Sequence, residues 1–333
     1  MSRLGLAVVG VGPASQPHAQ SLLELKDRIE VRHVVGRSRE RLDAFAARYP
    51  FPVTNDLDRA LADDAVQAVL VLTPPAAHLD VASLAFAAGK HVLIEKPLEV
   101  SLERAERLVA LGRSSGRRLG VVLQHRFRPG ARRLGALLAE GALGRVTSGW
   151  VTVPWWRPQA YYDEAGRGTL ARDGGGVLLT QAVHAIDLFR SLVGVSQVRA
   201  AEASTSLHRM ETEDFAAALI RLGNGAPGFI MATTTDYPGG PERIEIVGDR
   251  GTAKLVGGAL DVAYHDGRSE RVEAEGRTGA GANIMDFPND AHRALIADFA
   301  DAIAAGRDPQ VTGEEALETQ RLIDAILAKG QEP

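Results

Sequence analysis

Apolar residues fall in short unbroken runs along the first third of the chain, over residues 4–9, 68–72, 92–94 and 119–123, and a further strand is predicted over 31–35. Runs without polar alternation are what strands covered on both faces require. Between them lie stretches with helical spacing: around Leu22, Leu23 and Leu25, then over residues 40–49, 59–62, 79–88 and 102–114. Strand and helix alternate, so the pattern predicts an α/β unit with a doubly wound parallel sheet. After residue 123 the pattern changes. A helix is predicted over 131–140, an alternating strand over 146–153 and one continuous helix over 177–192. Alternating runs follow at 215–221, 228–234, 243–247, 252–256 and 260–265, joined by turns such as Asn224-Gly225, Gly239-Gly240 and Asp266-Gly267. They read as antiparallel strands of a broad sheet. One free face of that sheet is the expected oligomer surface, for a homodimer or homotetramer. Residues 276–288 are glycine-rich and read as a mobile loop near the site, and helices over 291–305 and 314–329 close the chain. The expected domains are 1–123 and 124–333, with the C-terminal helix free to pack back on the first.

Composition narrows the function classes. With 333 residues, 45% hydrophobic and 24% charged, the chain can build two cores. The formal charge is 38 − 42 = −4, without a strong basic patch, so no nucleic-acid partner is expected. The absence of cysteine excludes disulfides, thiol catalysis and cysteine-ligated metals, and fits a reducing compartment. The apolar part of the N-terminus is too short for a signal peptide, and no apolar run approaches the ~20 residues of a membrane span. A cytoplasmic protein is expected.

Candidate chemistry clusters where the predicted parallel strands end. The first strand runs into Gly10-Val11-Gly12-Pro13-Ala14-Ser15. Two glycines after a strand and before a helix suit a dinucleotide: one makes the tight turn, the other lets backbone approach a pyrophosphate. Serine replaces the usual third glycine or alanine and is small enough for the same packing. An acid after the second strand would hold the ribose hydroxyls of NAD. Here the chain reads Gly36-Arg37-Ser38-Arg39, and a cation plus a hydroxyl favour the 2′-phosphate of NADP. The third strand ends in Thr73-Pro74-Pro75, a rigid loop able to line a cofactor, with His78 as a ligand contact or a helix-start residue. The next ends in Glu95-Lys96-Pro97, which places Lys96 where ligands meet such sheets. Burial there can lower a lysine pKa into the range of a general acid or base.

Gly10-x-Gly12 with His18 downstream, Thr73-Pro74-Pro75-x-x-His78, Glu95-Lys96-Pro97 and Arg126-Phe127 together resemble the Gfo/Idh/MocA oxidoreductase family. The resemblance continues through the second half. It implies an N-terminal Rossmann domain and a C-terminal α+β domain on a large, mostly antiparallel sheet. It also implies hydride transfer between a nicotinamide and a sugar or polyol carbon, with Lys96 polarising or protonating the reacting oxygen. Gly10, Gly12, Pro13, Ala14, Arg37, Ser38, Thr73, Pro74, His78, Glu95 and Lys96 are the expected cofactor residues.

The second half supplies candidates for substrate. All three tryptophans lie between Trp150 and Trp156, followed by Arg157, Gln159, Tyr161, Tyr162 and Arg167. Such a cluster can be core, but its prolines and polar groups argue for a loop, and aromatic faces with flanking polar groups suit a sugar ring or a base. Gly174-Gly175-Gly176 leads into the helix that carries Thr180, Gln181, His184 and Asp187. In a continuous helix Thr180 and His184 share one face. The resemblance assigns the catalytic histidine to His184. Many polyol-oxidising relatives carry an aspartate where this chain has Thr180, which leaves proton transfer to His184, Lys96 or water. The segment from Trp156 to Leu188 looks most like the branch that oxidises C3 of UDP-linked N-acetyl sugar uronates. Arg126 and His292 complete the expected substrate residues, although His292 suits a helix cap equally well. Two other readings stay open: a nicotinamide-dependent glycosidase of the same fold, and a cofactor-sensing protein without catalysis. The histidines show no metal-ligand spacing, so no metal is expected.

Overall fold

The computed structural model describes residues 3–274 and 288–330. These form two units. One takes the described residues up to 123 together with 289–317, and the other takes 124–288 together with those from 318 onward.

In the first unit, β1 (Leu4–Val9), β2 (Ile29–Val35), β3 (Val53–Thr54), β4 (Ala68–Val71), β5 (His91–Ile94) and β6 (Leu119–Val121) form one sheet. The order is β3-β2-β1-β4-β5-β6 and every pair is parallel. β1 and β4 are buried at every position, as unbroken apolar runs require. Helices α1 (Ser15–Glu24), α2 (Arg39–Ala46), α3 (Leu57–Ala62), α4 (His78–Ala87) and α5 (Leu102–Ser115) make the crossovers. Ser38, Asp56 and Ser101 start α2, α3 and α5 by accepting an amide of the first turn. The strand order reverses between β1 and β4. Ligands of such sheets bind at that reversal, beyond the strands' carboxyl ends.

The second unit begins with α6 (Pro129–Ala139), β7 (Val146–Pro154) and four helical segments: α7 (Gln159–Tyr162), α8 (Leu170–Asp173), α9 (Val177–Thr180) and α10 (Val183–Val193). Then come β8 (Val195–Ser204), β9 (Phe215–Leu222), β10 (Pro227–Thr233), β11 (Arg243–Gly248), β12 (Gly251–Val256), β13 (Ala259–Tyr264) and β14 (Ser269–Val272). The sheet order is β14-β13-β12-β11-β7-β10-β9-β8. Only β7 and β10 pair in parallel; the other pairs are antiparallel. Val151, Val153, Ala218, Ile220, Ile230, Ile244 and Ile246 alternate onto one buried face. The opposite face carries Leu219, Phe229 and Trp150 in one register row. Trp150 and Phe229 stack with centroids 5.6 Å apart, and Leu219 is 60% exposed.

The helix expected over 177–192 is broken. The amide of Ala182 donates to Val177 O, five residues back, while that of Ile186 returns to Ala182 O. Thr180 Oγ1 also donates to Gly176 O at 2.7 Å. This wide turn ends α9 at Thr180 and restarts the helix at Val183, with a 53° bend between the helical stretches on either side. Thr180 and His184 therefore do not share one helix face. β8 was not legible because its burial does not alternate. Irregularities between Val195 and Gln197 and between Val198 and Ala200 interrupt its period of two.

Near the end of the chain, α11 (Asp290–Ala305) packs on α1 within the first unit. In α12 (Gly313–Gly330) the expected stripe of Leu317, Leu322, Ile323 and Ile326 is buried. The loop expected over 276–288 lies, but for Pro288, outside the described residues. No single helix among the described residues is long and apolar enough to cross a membrane.

Candidate active site

Each unit gathers its own set of predicted residues. In the first, Gly10 follows β1 with φ +118°, and a Cβ there would stand 2.6 Å from the carbonyl of Leu72. Only glycine fits this turn. Gly12 has nothing within 4 Å of where its Cβ would be, which leaves an open cradle beside the start of α1. Ser15 opens that helix, and its hydroxyl donates to Gly12 O at 2.7 Å. The serine thus closes the turn as well as packing in it. Pro13 and Ala14 are exposed, and no side chain caps the helix. An open glycine beside the uncapped, positive end of this helix fits a dinucleotide pyrophosphate. Beyond β2, Arg37 is exposed, and Ser38 accepts the Arg41 amide at 3.3 Å, leaving its own proton to donate.

His78 is fully buried at the first position of α4. Its Nε2 lies 3.0 Å from Thr73 O and its Nδ1 3.3 Å from Leu98 O. Burial lowers its pKa, and since each carbonyl faces a different ring nitrogen, a singly protonated ring donates to one of them and packs against the other. His78 thereby ties the loop after β4 to the loop after β5. Thr73 and Pro74 lie on the first of these loops and Lys96 on the second.

Glu95 is the hinge of the second loop. Its Oε1 meets His18 Nε2 at 2.7 Å, and its Oε2 accepts the amide of Lys96 at 2.9 Å. Burial alone would raise this carboxyl. The hydrogen bond and charge of His18, with the charges of Lys96 and His292, outweigh it and hold the pKa at about 2. His292, expected at the substrate, sits on α11 with its ring 5.1 Å from that of His18, edge to face, and is 3% exposed. His18, Glu95 and His292 place their ligand atoms within 4.8 Å of one another, the one such group among the described residues. The donor types could hold a transition metal. The His18–Glu95 contact is a hydrogen bond, and the neighbouring Lys96 charge opposes a second cation there. The cluster joins α1 to the turn carrying Lys96 through the buried His18–Glu95 hydrogen bond.

In the second unit, Arg126 grips Asp187 through two 2.7 Å hydrogen bonds, and Thr319 Oγ1 donates to the same carboxylate at 2.8 Å. Arg126 thus anchors α10. One residue earlier, His125 stacks on His184 with centroids 4.8 Å apart and ring planes 25° apart. Tyr161 joins several expected substrate residues. Arg167 donates to its hydroxyl at 2.9 Å and lies 4.3 Å above its ring. Gln181 Nε2 reaches the same hydroxyl at 3.4 Å, and Thr180 Oγ1 bonds the Gln181 side chain. Arg157, 3% exposed, stands 5.8 Å from the Tyr161 ring and 5.1 Å from that of Trp155. Burial lowers its pKa, so an anion beside it is favoured. Trp156 packs edge-on against Tyr237. Tyr162 turns inward to Thr234 at 2.9 Å, and burial pushes its phenol up to about 12. Sequence reading missed His125, His208, Glu213 and Asp214. The last two left a usable signal: paired acids immediately before an alternating apolar run.

Comparison with known proteins agrees with this architecture. Residues 4–123 match the model of the oxidoreductase family with an NAD-binding Rossmann fold, and residues 131–254 match the GFO/IDH/MocA C-terminal domain. The chain belongs to the Gfo/Idh/MocA family and is a nicotinamide-dependent oxidoreductase. An uncharacterized oxidoreductase of Synechocystis is 30% identical over 274 residues, 76% of this chain and 71% of that protein. Two scyllo-inositol 2-dehydrogenases of Bacillus subtilis are 25% and 23% identical, over 93% and 98% of this chain and 89% and 94% of their own. The first is named for NAD+ and the second for NADP+. The WlbA dehydrogenase of Bordetella pertussis, solved with NADH and UDP-GlcNAcA, superimposes with a TM-score of 0.84 at 29% identity, covering 99% of this chain and 97% of that one.

Proposed function

We propose that this enzyme oxidises a secondary alcohol of a sugar, with a UDP-linked N-acetyl sugar uronate as the substrate and C3 as the reacting carbon. The observation that carries the reading is the cluster of Arg157, Tyr161, Arg167 and Gln181, which brings an aromatic face together with two guanidinium groups, that of Arg167 paired with Glu164. A carboxylate or diphosphate suits the arginines and a sugar ring suits the tyrosine face. The UDP-GlcNAcA held by the Bordetella relative supports the same class.

Bound nicotinamide supplies the hydride acceptor for the carbinol C–H. His184 takes the hydroxyl proton as that hydride leaves, and the Lys96 ammonium holds the oxygen and its growing negative charge. Glu95 keeps the backbone of Lys96 in place, and Thr73, Pro74 and His78 shape the adjoining loop. Thr180 has no carboxylate to offer, so it binds rather than takes a proton. Arg126 acts through Asp187 and α10. Arg37 and Ser38 select NADP over NAD by pairing with the 2′-phosphate. The open sheet face around Trp150, Leu219 and Phe229 meets a second copy of the chain, giving a homodimer or homotetramer. A nicotinamide-dependent reaction needs a cofactor pool, and on that ground we place the enzyme in the cytoplasm. A thermal-shift panel with NAD, NADP and UDP-GlcNAcA tests the assignment, because only ligands of the folded state raise the melting point. Stabilisation by NADP and by UDP-GlcNAcA is expected. A response to neither would refute it.

A further inference from the structure

Two adjacent buried acids, Glu213 and Asp214, lie immediately before β9, and the mechanism above does not use them. Successive residues of an extended chain point to opposite sides, and these two reach different segments. Glu213 accepts the amides of Gly176 at 2.9 Å and Leu178 at 3.1 Å, while its own carbonyl takes the amide of Val177. It therefore satisfies the orphan amides that open α9, the helix ending in Thr180. The approach is close: a Cβ on Gly176 would stand 1.9 Å from Glu213 O and 2.6 Å from its Oε2. Glycine at 176 is thus required by the backbone carbonyl of Glu213, against which it packs.

Asp214 reaches the other way. It accepts the amides of Ser206, Leu207 and His208 and faces His208 Nδ1 at 3.0 Å. The far nitrogen of that ring meets Arg157 O at 2.8 Å. A chain of hydrogen bonds thus runs from Asp214 through His208 to the backbone of Arg157.

We propose that Glu213 and Asp214 are positioning residues for the sugar substrate: Glu213 sets Thr180 and Gln181 through α9, and Asp214 sets Arg157 through His208. This rests on the reading that Arg157, Tyr161 and Gln181 meet the substrate. Neither acid touches the first unit's glycine loop in sequence or hydrogen bonding, so cofactor affinity is predicted to be spared.

The test compares Glu213→Ala, Glu213→Gln and Asp214→Asn with the unaltered enzyme, using UDP-GlcNAcA as the probe. Glu213→Ala is expected to raise KM for UDP-GlcNAcA about tenfold or more, with Kd for NADP unchanged. Glu213→Gln, which keeps an acceptor oxygen, recovers part of the loss, and Asp214→Asn raises KM in the same way. Hydrogen exchange of the peptide covering 174–182 speeds up in Glu213→Ala without any substrate present. Unchanged KM, unchanged exchange, or an equal loss of NADP affinity would overturn the proposal. If Glu213→Ala does not fold, Glu213→Gln decides through its KM and exchange. If the unaltered enzyme does not bind UDP-GlcNAcA, the substrate reading fails, while the exchange measurement still decides the positioning.

Discussion

His18 Nε2 and Glu95 Oε1 meet at 2.7 Å in the interior of the first unit, joining the helix after the glycine loop to the turn that carries Lys96. The two residues are 77 apart in sequence. The pair couples the element expected to bind phosphate with the residue expected to hold the reacting oxygen. Glu95 is strained by burial and rescued by its partners, so its charge is maintained far below neutral pH.

Replacing Glu95 with glutamine removes that charge while keeping the shape. We expect Glu95→Gln to lose roughly 1.5–3 kcal/mol of stability at neutral pH, the range for a buried hydrogen bond to a charged group. The sign with pH follows from the depressed pKa. The contribution is present above the ordinary 4.5 and is lost as pH falls toward about 2. Urea unfolding at pH 7 and near pH 3 measures both. An equal loss at the two pH values would contradict a stabilising Glu95 carboxylate.

His91 supplies a second pH effect at the other end of the same strand. Burial lowers its pKa, helped by the charges of Arg117 and Arg118, from 6.5 to about 4. The unfolded chain then takes a proton that the folded protein refuses. Stability is complete above about 6.5 and falls as pH drops toward about 4. In His91→Asn, melting temperature is expected to vary less over that window. An unaltered slope would assign the pH dependence to other groups.

The proposed preference for NADP rests on Arg37. Losing one charge-assisted contact to a phosphate costs roughly 1.5–3 kcal/mol, or about tenfold to a hundredfold in affinity. Arg37→Ala is expected to weaken NADP by that factor and leave NAD within about twofold. Calorimetric titration of both cofactors reads the ratio, and an equal effect on NAD would remove Arg37 from the 2′-phosphate.

The open sheet face makes a prediction about assembly. Phe229 and Leu219 sit opposite each other in register, with Trp150 completing the row. A charge placed in a dry interface is costly. Phe229→Glu is expected to lower the sedimentation mass to that of one chain while secondary structure is retained. An unchanged mass of two or more chains would place the interface elsewhere.

The parallel sheet was legible because buried strands read as unbroken apolar runs, as at Ala68–Val71. The glycine loop was legible because backbone geometry requires glycine at residue 10, and Glu95-Lys96-Pro97 because it follows a buried apolar run and resembles the family's motif. The roles of neighbours were not. Nothing near His18 in sequence announces Glu95, and the pairing of Arg126 with Asp187 joins residues 61 apart. The break at Gln181 was hidden because its cause is a carbonyl at Val177 serving an amide five residues on, while the side-chain pattern continues as for one helix. Glu213 and Asp214 look like a solvated pair until the strand's alternation sends each into a buried loop.

The central claim is hydride transfer with Lys96 and His184 as its protein groups. The direct test follows reduction of NADP, and of NAD in parallel, by UDP-GlcNAcA in the unaltered enzyme, Lys96→Met and His184→Ala, with cofactor binding measured separately. The account predicts turnover by the unaltered enzyme. It predicts losses of at least about a hundredfold in kcat for each variant, the lower range for a positioned acid or base, with cofactor still bound. Near-normal turnover in both variants would contradict it.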